Sequence, residues 1–208
     1  SIEVHPERVD QSRIRFFRTL GFNRLSMGIQ DFDPRVQQAV NRFNSIAEVE
    51  RLVATARDVG FSSINMDLIY GLPHQTKASF LTTISHINQL RPDRISLFNY
   101  AHMPHRFKTQ KHINSEDLPP ANVKLDILHS SIDALTKAGY VYIGMDHFAL
   151  PDDELSLAQK NGELHRNFQG YSTHANCDLF SFGASSISSI GNSYFQNAKT
   201  LDEYNNAI

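Results

Sequence analysis

Short apolar runs alternate along the chain with longer segments in which apolar residues recur every three or four positions. The runs at residues 1–4, 24–29, 64–69, 94–98 and 140–145 predict strands. Between them, residues 10–20 carry Ile14, Phe16, Phe17 and Leu20 on one helical face. Asp33-Pro34 starts a helix through Val36, Val40 and Phe43, and residues 45–59 show a stripe of Val49, Leu52, Val53 and Ala56. Residues 76–90 point Phe80, Leu81, Ile84 and Ile87 inward, and residues 122–138 carry Val123, Leu125, Leu128, Ile132 and Leu135. Local chemistry marks the ends. Ser45 with Glu48 three residues on, and Thr76, are N-cap signals; Gly21, Gly60 and Gly139 stand where helices stop. Residues 152–160 and 201–208 read as short helices, and the stretch between them is not assigned.

The repeated unit is strand then helix, with helix ends Leu20-Gly21-Phe22, Val59-Gly60-Phe61 and Ala138-Gly139-Tyr140 each feeding a strand. This predicts an α/β fold with parallel strands and right-handed crossovers. Residues 99–120, with Pro104, Pro119 and Pro120, form a connection longer than packing requires, which points to a functional loop.

In such folds ligands sit at the carboxyl ends of strands. The polar residues at those ends are Glu3, Gln30, Asp67, Asn99-Tyr100 and Asp146-His147. Together they predict a mouth that binds a polar ligand. Glu3 or Asp67 suits a ribose diol, Gln30 offers donor and acceptor, and Arg42 suits a carboxylate. Each also has a plain reading: Asp67 as a buried acid held by backbone amides, Arg42 as a solvated helix end. Phe148, Phe168 and Tyr171 read as packing or as the lining of an aromatic pocket.

Composition narrows the chemistry. With 208 residues, 40% hydrophobic and 20% charged, the chain is globular, and its net charge of -2 offers no basic stripe for nucleic acid. No apolar run approaches a membrane span of about 20 residues, and no signal peptide opens the sequence. The ends fall inside a strand and a helix, so the chain reads as an internal piece of a longer protein. Ten histidines invite a metal, but His102 and His105 lack a third ligand nearby and His165 and His174 are scattered, so no metal site is expected. Cys177, the single cysteine, reads as a small packed residue rather than a nucleophile. Gly28, Gly71 and Gly144 are isolated, which excludes a glycine-rich phosphate cradle, and no lysine stands at a strand end for Schiff-base chemistry.

Several phrases resemble one family. They are Ser1-Ile2-Glu3-Val4-His5-Pro6, residues 21–32, residues 65–76, and Gly144-Met145-Asp146-His147-Phe148-Ala149 with Pro151-Asp152-Asp153-Glu154-Leu155. His165-Arg166-Asn167-Phe168-Gln169-Gly170-Tyr171 joins them. Together they resemble oxygen-independent coproporphyrinogen III oxidase, also called coproporphyrinogen III dehydrogenase, of the radical S-adenosylmethionine (SAM) superfamily. The resemblance implies a (β/α)6 three-quarter barrel, of which this chain would hold strands three to six and following segments. Residues 1–150 would be the second half of the barrel, and residues 151–208 a segment leading to a C-terminal helical domain. It implies a 4Fe-4S cluster, whose electron cleaves SAM to a radical, and oxidative decarboxylation of two propionates of coproporphyrinogen III to vinyls, giving protoporphyrinogen IX in haem synthesis. The family is described as holding two SAM molecules. By the resemblance Glu3 and Ile187 meet the cluster-bound one, and Gln30, Arg42, Asp67 and Ala101 the second.

The CxxxCxxC motif and the Gly-Gly-Gly-Thr-Pro segment of the family are not in this chain. The resemblance places both before Ser1, so the fragment alone is expected to hold no cluster and to be inactive. Implied partners are the tetrapyrrole and an electron donor, with no nucleic acid and no membrane, in a cytoplasmic monomer. The alternative is a relative that binds or traffics haem without decarboxylase activity.

Overall fold

The computed structural model describes residues 1–168 and 170–208, and these fall into two compact units, Ser1–Lys160 and Asn161–Ile208. Gln169, part of the 165–171 phrase, lies outside the described residues.

In the first unit β1 (Ile2–Val4) leads through a single 3₁₀ turn, Pro6–Arg8, to α1 (Gln11–Thr19), β2 (Arg24–Gln30), α2 (Pro34–Ala39) and α3 (Ile46–Asp58). Then follow β3 (Ser63–Tyr70), α4 (Lys77–Leu90), β4 (Arg94–Asn99), α5 (Ala121–Lys137), β5 (Val141–Gly144), β6 (His147–Ala149) and α6 (Glu154–Asn161). Helix starts follow the local signals. Ser45 and Glu48 make a reciprocal capping box on α3, and Thr76 and Ser79 make another on α4. Each satisfies backbone N–H groups that a helix N-terminus would otherwise leave unpaired.

Among the described residues the six strands pair in the order β1-β2-β3-β4-β6-β5. The first four are parallel. The expectation of parallel strands throughout fails at the end of the sheet. Residues 140–149 form a hairpin, and β6 pairs antiparallel with both β4 and β5. The turn is made by Gly144 (φ 135°) and Met145 (φ 49°), so the chain reverses at once, with no helical crossover.

Alternation along β3 separates two faces. Ile64, Met66 and Leu68 are fully buried against the helices, with Ile14, Val49, Phe80, Ile84 and Ile127 in the same core. Asn65, Asp67 and Ile69 on the other face are half-buried. Phe16 (56% exposed), Leu20 (59%) and Leu125 (51%) lie outside the core that their helical spacing predicts. In α1 it is Ile14 that is buried, with Phe17 packed beside the core.

The connection 99–120 contains two 3₁₀ turns, Lys108–His112 and Ser115–Asp117. The second unit holds two antiparallel hairpins, β7 (His165–Asn167) with β8 (Gly170–Ser172) and β9 (Ile187–Ile190) with β10 (Ser193–Gln196), and then α7 (Leu201–Ala207). Among the described residues, no helix is long and apolar enough to cross a membrane.

Candidate functional site

The register of β1–β4 lines polar residues up across the face turned away from the helices. Glu3 stands opposite Ser26, Ser26 opposite Asn65, and Asn65 opposite Arg94. One step along, Gly28 stands opposite Asp67 and Asp67 opposite Ser96. Both Asp67 oxygens accept hydrogen bonds, Oδ2 from Ser26 Oγ (3.0 Å) and Oδ1 from Asn65 Nδ2 (2.8 Å). Asn65 Nδ2 also reaches Ser26 Oγ (2.9 Å), and Ser96 Oγ donates to Asn65 Oδ1 (3.3 Å). The donors to Asp67 are thus neighbouring side chains on two strands, β2 and β3, not the backbone amides of a simply buried acid. An ionised carboxylate has about four acceptor sites, so this arrangement orients Asp67 and leaves it capacity for a ligand.

The parallel register slips after Gly28, and Gln30 takes a left-handed conformation (φ 69°). Its Oε1 is buried without a hydrogen-bond partner among the described residues. An acceptor left this way costs about 1–3 kcal/mol unless something donates to it. Arg42, beyond α2, is half-buried and donates through Nη1 to the Gly28 carbonyl (3.1 Å). It is not a solvated helix end. Burial pulls its guanidinium below the usual value, against the opposing charges of Glu7 and Glu3.

Gln30 and Arg42 line one cavity of about 910 Å³, with Ile69, Leu72, Tyr100 and Gln110. Its two walls are the β2–α2 region and the long loop after β4. Gln110 fastens that loop: its Nε2 donates to the Ala101 carbonyl (3.1 Å), and its Oε1 accepts from Met103 N (2.5 Å). Tyr100 Oη pairs with His102 Nδ1 (3.1 Å), and His102 Nε2 with Ser115 Oγ (3.2 Å). Burial pushes the Tyr100 phenol above its ordinary range.

Gln30, Arg42, Glu3 and Asp67 thus belong to the same three strands and their turns, Ala101 opens the loop that forms the far wall, and Asp146-His147 starts the hairpin strand, with His147 opposite Ser96. Ile187 lies in the second unit, opposite Gln196 in its hairpin. Phe148 is core, 1% exposed, whereas Phe168 is 45% exposed and packs edge-on to Tyr194. Cys177 is exposed, contrary to its reading as a packed residue, because it sits in a turn of the second unit. Among the described residues, no three His, Cys, Asp or Glu side chains are grouped to hold a metal ion. Four residues of the site escape a reading by sequence: Asp31, Gln37, Asn44 and Gln75, all buried. Their one signal is polarity next to strand ends, which solvated turns share.

Comparison with known proteins bears on these features. The family model described as Radical SAM superfamily matches residues 1–87. Oxygen-independent coproporphyrinogen III oxidase of Pseudomonas aeruginosa is 52% identical over 207 residues, 100% of this chain and 45% of that protein. The chain is a homologue of oxygen-independent coproporphyrinogen III oxidase. The oxidase of the same name from Escherichia coli is 52% identical over 98% of this chain and 45% of its own length. The solved structure of coproporphyrinogen III oxidase from Escherichia coli, described as a radical SAM enzyme, superposes with a TM-score of 0.93 over 97% of this chain and 46% of that one. The mixed sheet and its helices are therefore a radical SAM-like partial barrel. The chain spans about half the length of these oxidase relatives.

Proposed function

We propose that the protein carrying this chain is a coproporphyrinogen III oxidase. It would decarboxylate two propionates of coproporphyrinogen III to vinyls without oxygen, giving protoporphyrinogen IX in porphyrin synthesis. The observation that carries this reading is 52% identity sustained over 97% of the chain at a TM-score of 0.93 to a solved coproporphyrinogen III oxidase.

The residues of the first unit fit SAM. The cavity is large enough for a nucleoside ligand and is lined by Gln30, whose buried Oε1 has no partner among the described residues. It also presents a guanidinium held beside Gly28. A methyl group on Gly28 would come within 2.9 Å of Gln30 Nε2 and 3.4 Å of Arg42 Nη1, so glycine keeps both side chains together. When bound, SAM supplies the hydrogen-abstracting group of this superfamily. Arg42 would hold a SAM carboxylate by charge-assisted hydrogen bonds. Asp67, oriented by Ser26 and Asn65, would take a ribose diol, and Gln30 would turn its amide to accept from the ligand. The Ala101 backbone would bound it on the loop side. Glu3, on the same sheet face, rests on the resemblance alone as a contact to a further SAM.

A 4Fe-4S cluster does not fit the residues present. It needs at least three thiolates, and Cys177 is the single cysteine of the chain. No step is therefore derived through it. The test is an anaerobic assay of the full-length protein with coproporphyrinogen III, SAM and a reductant. The expected result is carbon dioxide and protoporphyrinogen IX in a two-to-one ratio; tight haem binding without turnover would overturn the reading.

A further inference from the structure

Beneath the cavity wall lies a buried polar cluster that the roles above leave unused. Asp31 is 1% exposed, Gln75 3% and Thr83 1%. Asp31 Oδ2 accepts from Gln75 Nε2 (2.6 Å), while Oδ1 accepts from Thr83 Oγ1 (2.5 Å) and from Asp33 N (2.9 Å). Gln75 has no freedom to turn its amide over. Its Oε1 accepts from Gly71 N (2.6 Å) and Leu72 N (2.9 Å), and its Nε2 also donates to the Ile69 carbonyl (2.8 Å). The turn after β3 is thereby tied to the turn after β2.

Asp31 has a second attachment through its backbone. Gln37 Nε2 donates both to the Asp31 carbonyl (2.8 Å) and to the Asn44 carbonyl (2.9 Å). Asn44 Nδ2 returns to the Ile29 carbonyl (3.3 Å). These bonds clamp both sides of Gln30, whose left-handed backbone is costly for a residue with a Cβ and needs such support. They also anchor the segment that carries Arg42. The held groups of Ile29, Asp31, Ile69, Gly71 and Leu72 belong to or adjoin Gln30, Ile69 and Leu72, three residues of the cavity wall, and the Asn44 carbonyl lies two residues from Arg42, a fourth.

Asp31 faces only donors: a hydroxyl, an amide NH₂ and a backbone N–H. A buried carboxylate is expensive to desolvate, and an apolar side chain would close a turn at lower cost. We propose that Asp31, paired with Gln75, is a positioning residue for the cavity ligand, setting where Gln30 and Arg42 meet it. This rests on the reading of the cavity as a SAM site.

An exchange of polarity tests the pair. In Asp31→Asn an NH₂ group must face either Gln75 Nε2 or Asp33 N, donor against donor, whichever way the amide turns. In Asp31→Asn/Gln75→Glu the asparagine NH₂ meets a carboxylate, which still accepts from Gly71 N and Leu72 N but leaves the Ile69 carbonyl without its donor. SAM affinity of the full-length protein is read by isothermal titration, with Tm alongside. Asp31→Asn is expected to weaken SAM binding tenfold or more, and the double variant to recover part of that loss, the Ile69 carbonyl remaining unpaired. If the single variant does not fold, Thr83→Val, which keeps the Gln75 bond but removes one donor to Asp31 and the acceptor of Phe32 N (3.2 Å), is expected to weaken binding about threefold with a Tm lowered by a few degrees and the fold retained. Wild-type affinity in Asp31→Asn or in Thr83→Val overturns the proposal, as does a double variant no better than the single. Arg42→Ala separates the two levels. If Arg42→Ala binds SAM like the wild type, the SAM reading of the cavity fails; if it binds weakly while Asp31→Asn binds normally, only the positioning role fails.

Discussion

At Gly28 the absence of a side chain does positional work. Its φ lies outside the left-handed region, so alanine is allowed by the backbone; what it lacks is room, between Gln30 Nε2 and Arg42 Nη1. Both neighbours are the ends of flexible side chains, which move aside cheaply. Gly28→Ala should therefore leave stability within about 1 kcal/mol of the wild type while raising the KM for SAM roughly tenfold by spreading the two groups. Thermal denaturation and SAM titration of the anaerobic assay check both halves. The residues around this point differ in how visible they are in sequence. Gln30 and Asp67 are legible because a polar residue near the end of an apolar strand stands out. Asp31, Gln37, Asn44 and Gln75 are not, because their meaning lies in partners that only folding supplies. Asp31 meets Gln75 and Thr83 from 44 and 52 residues away. Asp67 is legible in position only. Its donors, Ser26 and Asn65, follow from strand register, which the sequence does not display.

At the scale of elements, what is written locally is read correctly. The caps at Ser45 and Thr76 and the strands around Met66 stand where the pattern predicts. The β5–β6 hairpin is not legible in the sequence, because strands of four and three residues carry too little periodicity to separate from one longer strand. Gln159 of α6 donates to the hairpin carbonyls of Tyr142 (3.2 Å) and Ile143 (2.7 Å), and the start of α6 is tied to the parallel strands: Arg94 of β4 meets Asp153 (2.9 Å), just before α6, and Glu154 (2.9 Å), and Arg24 of β2 meets Glu154 (2.8 Å). The Asp153 side chain is 7% exposed. Arg94→Ala leaves it without its guanidinium and should cost about 3 kcal/mol, measured by denaturant unfolding. Burial pushes the Glu154 carboxyl up, but Arg94 and Arg24 outweigh this and hold it below its ordinary value. A depressed carboxylate contributes stability above its unfolded pKa and loses it as pH falls through the folded one. The wild type should thus lose this contribution on acidification below the usual glutamate range, and Arg94→Ala should lose less of it.

At the scale of the molecule, a partial barrel brings polar residues of four parallel strands onto one face and places a cavity between the β2–α2 region and the long loop after β4. Of this the α/β architecture and the importance of residues 99–120 are legible in the sequence, since alternating apolar patterns and an overlong connection are properties of the chain itself. The cavity is not, because it exists only once Gln110 folds the loop back onto Ala101 and Met103. The account turns on this cavity taking a SAM molecule through Arg42. Equilibrium dialysis of the full-length protein, cluster-loaded, against radiolabelled SAM tests it most directly. The account predicts two SAM per chain in the wild type and one in Arg42→Ala at the same concentration. Two per chain in both, with unchanged affinity, would contradict it.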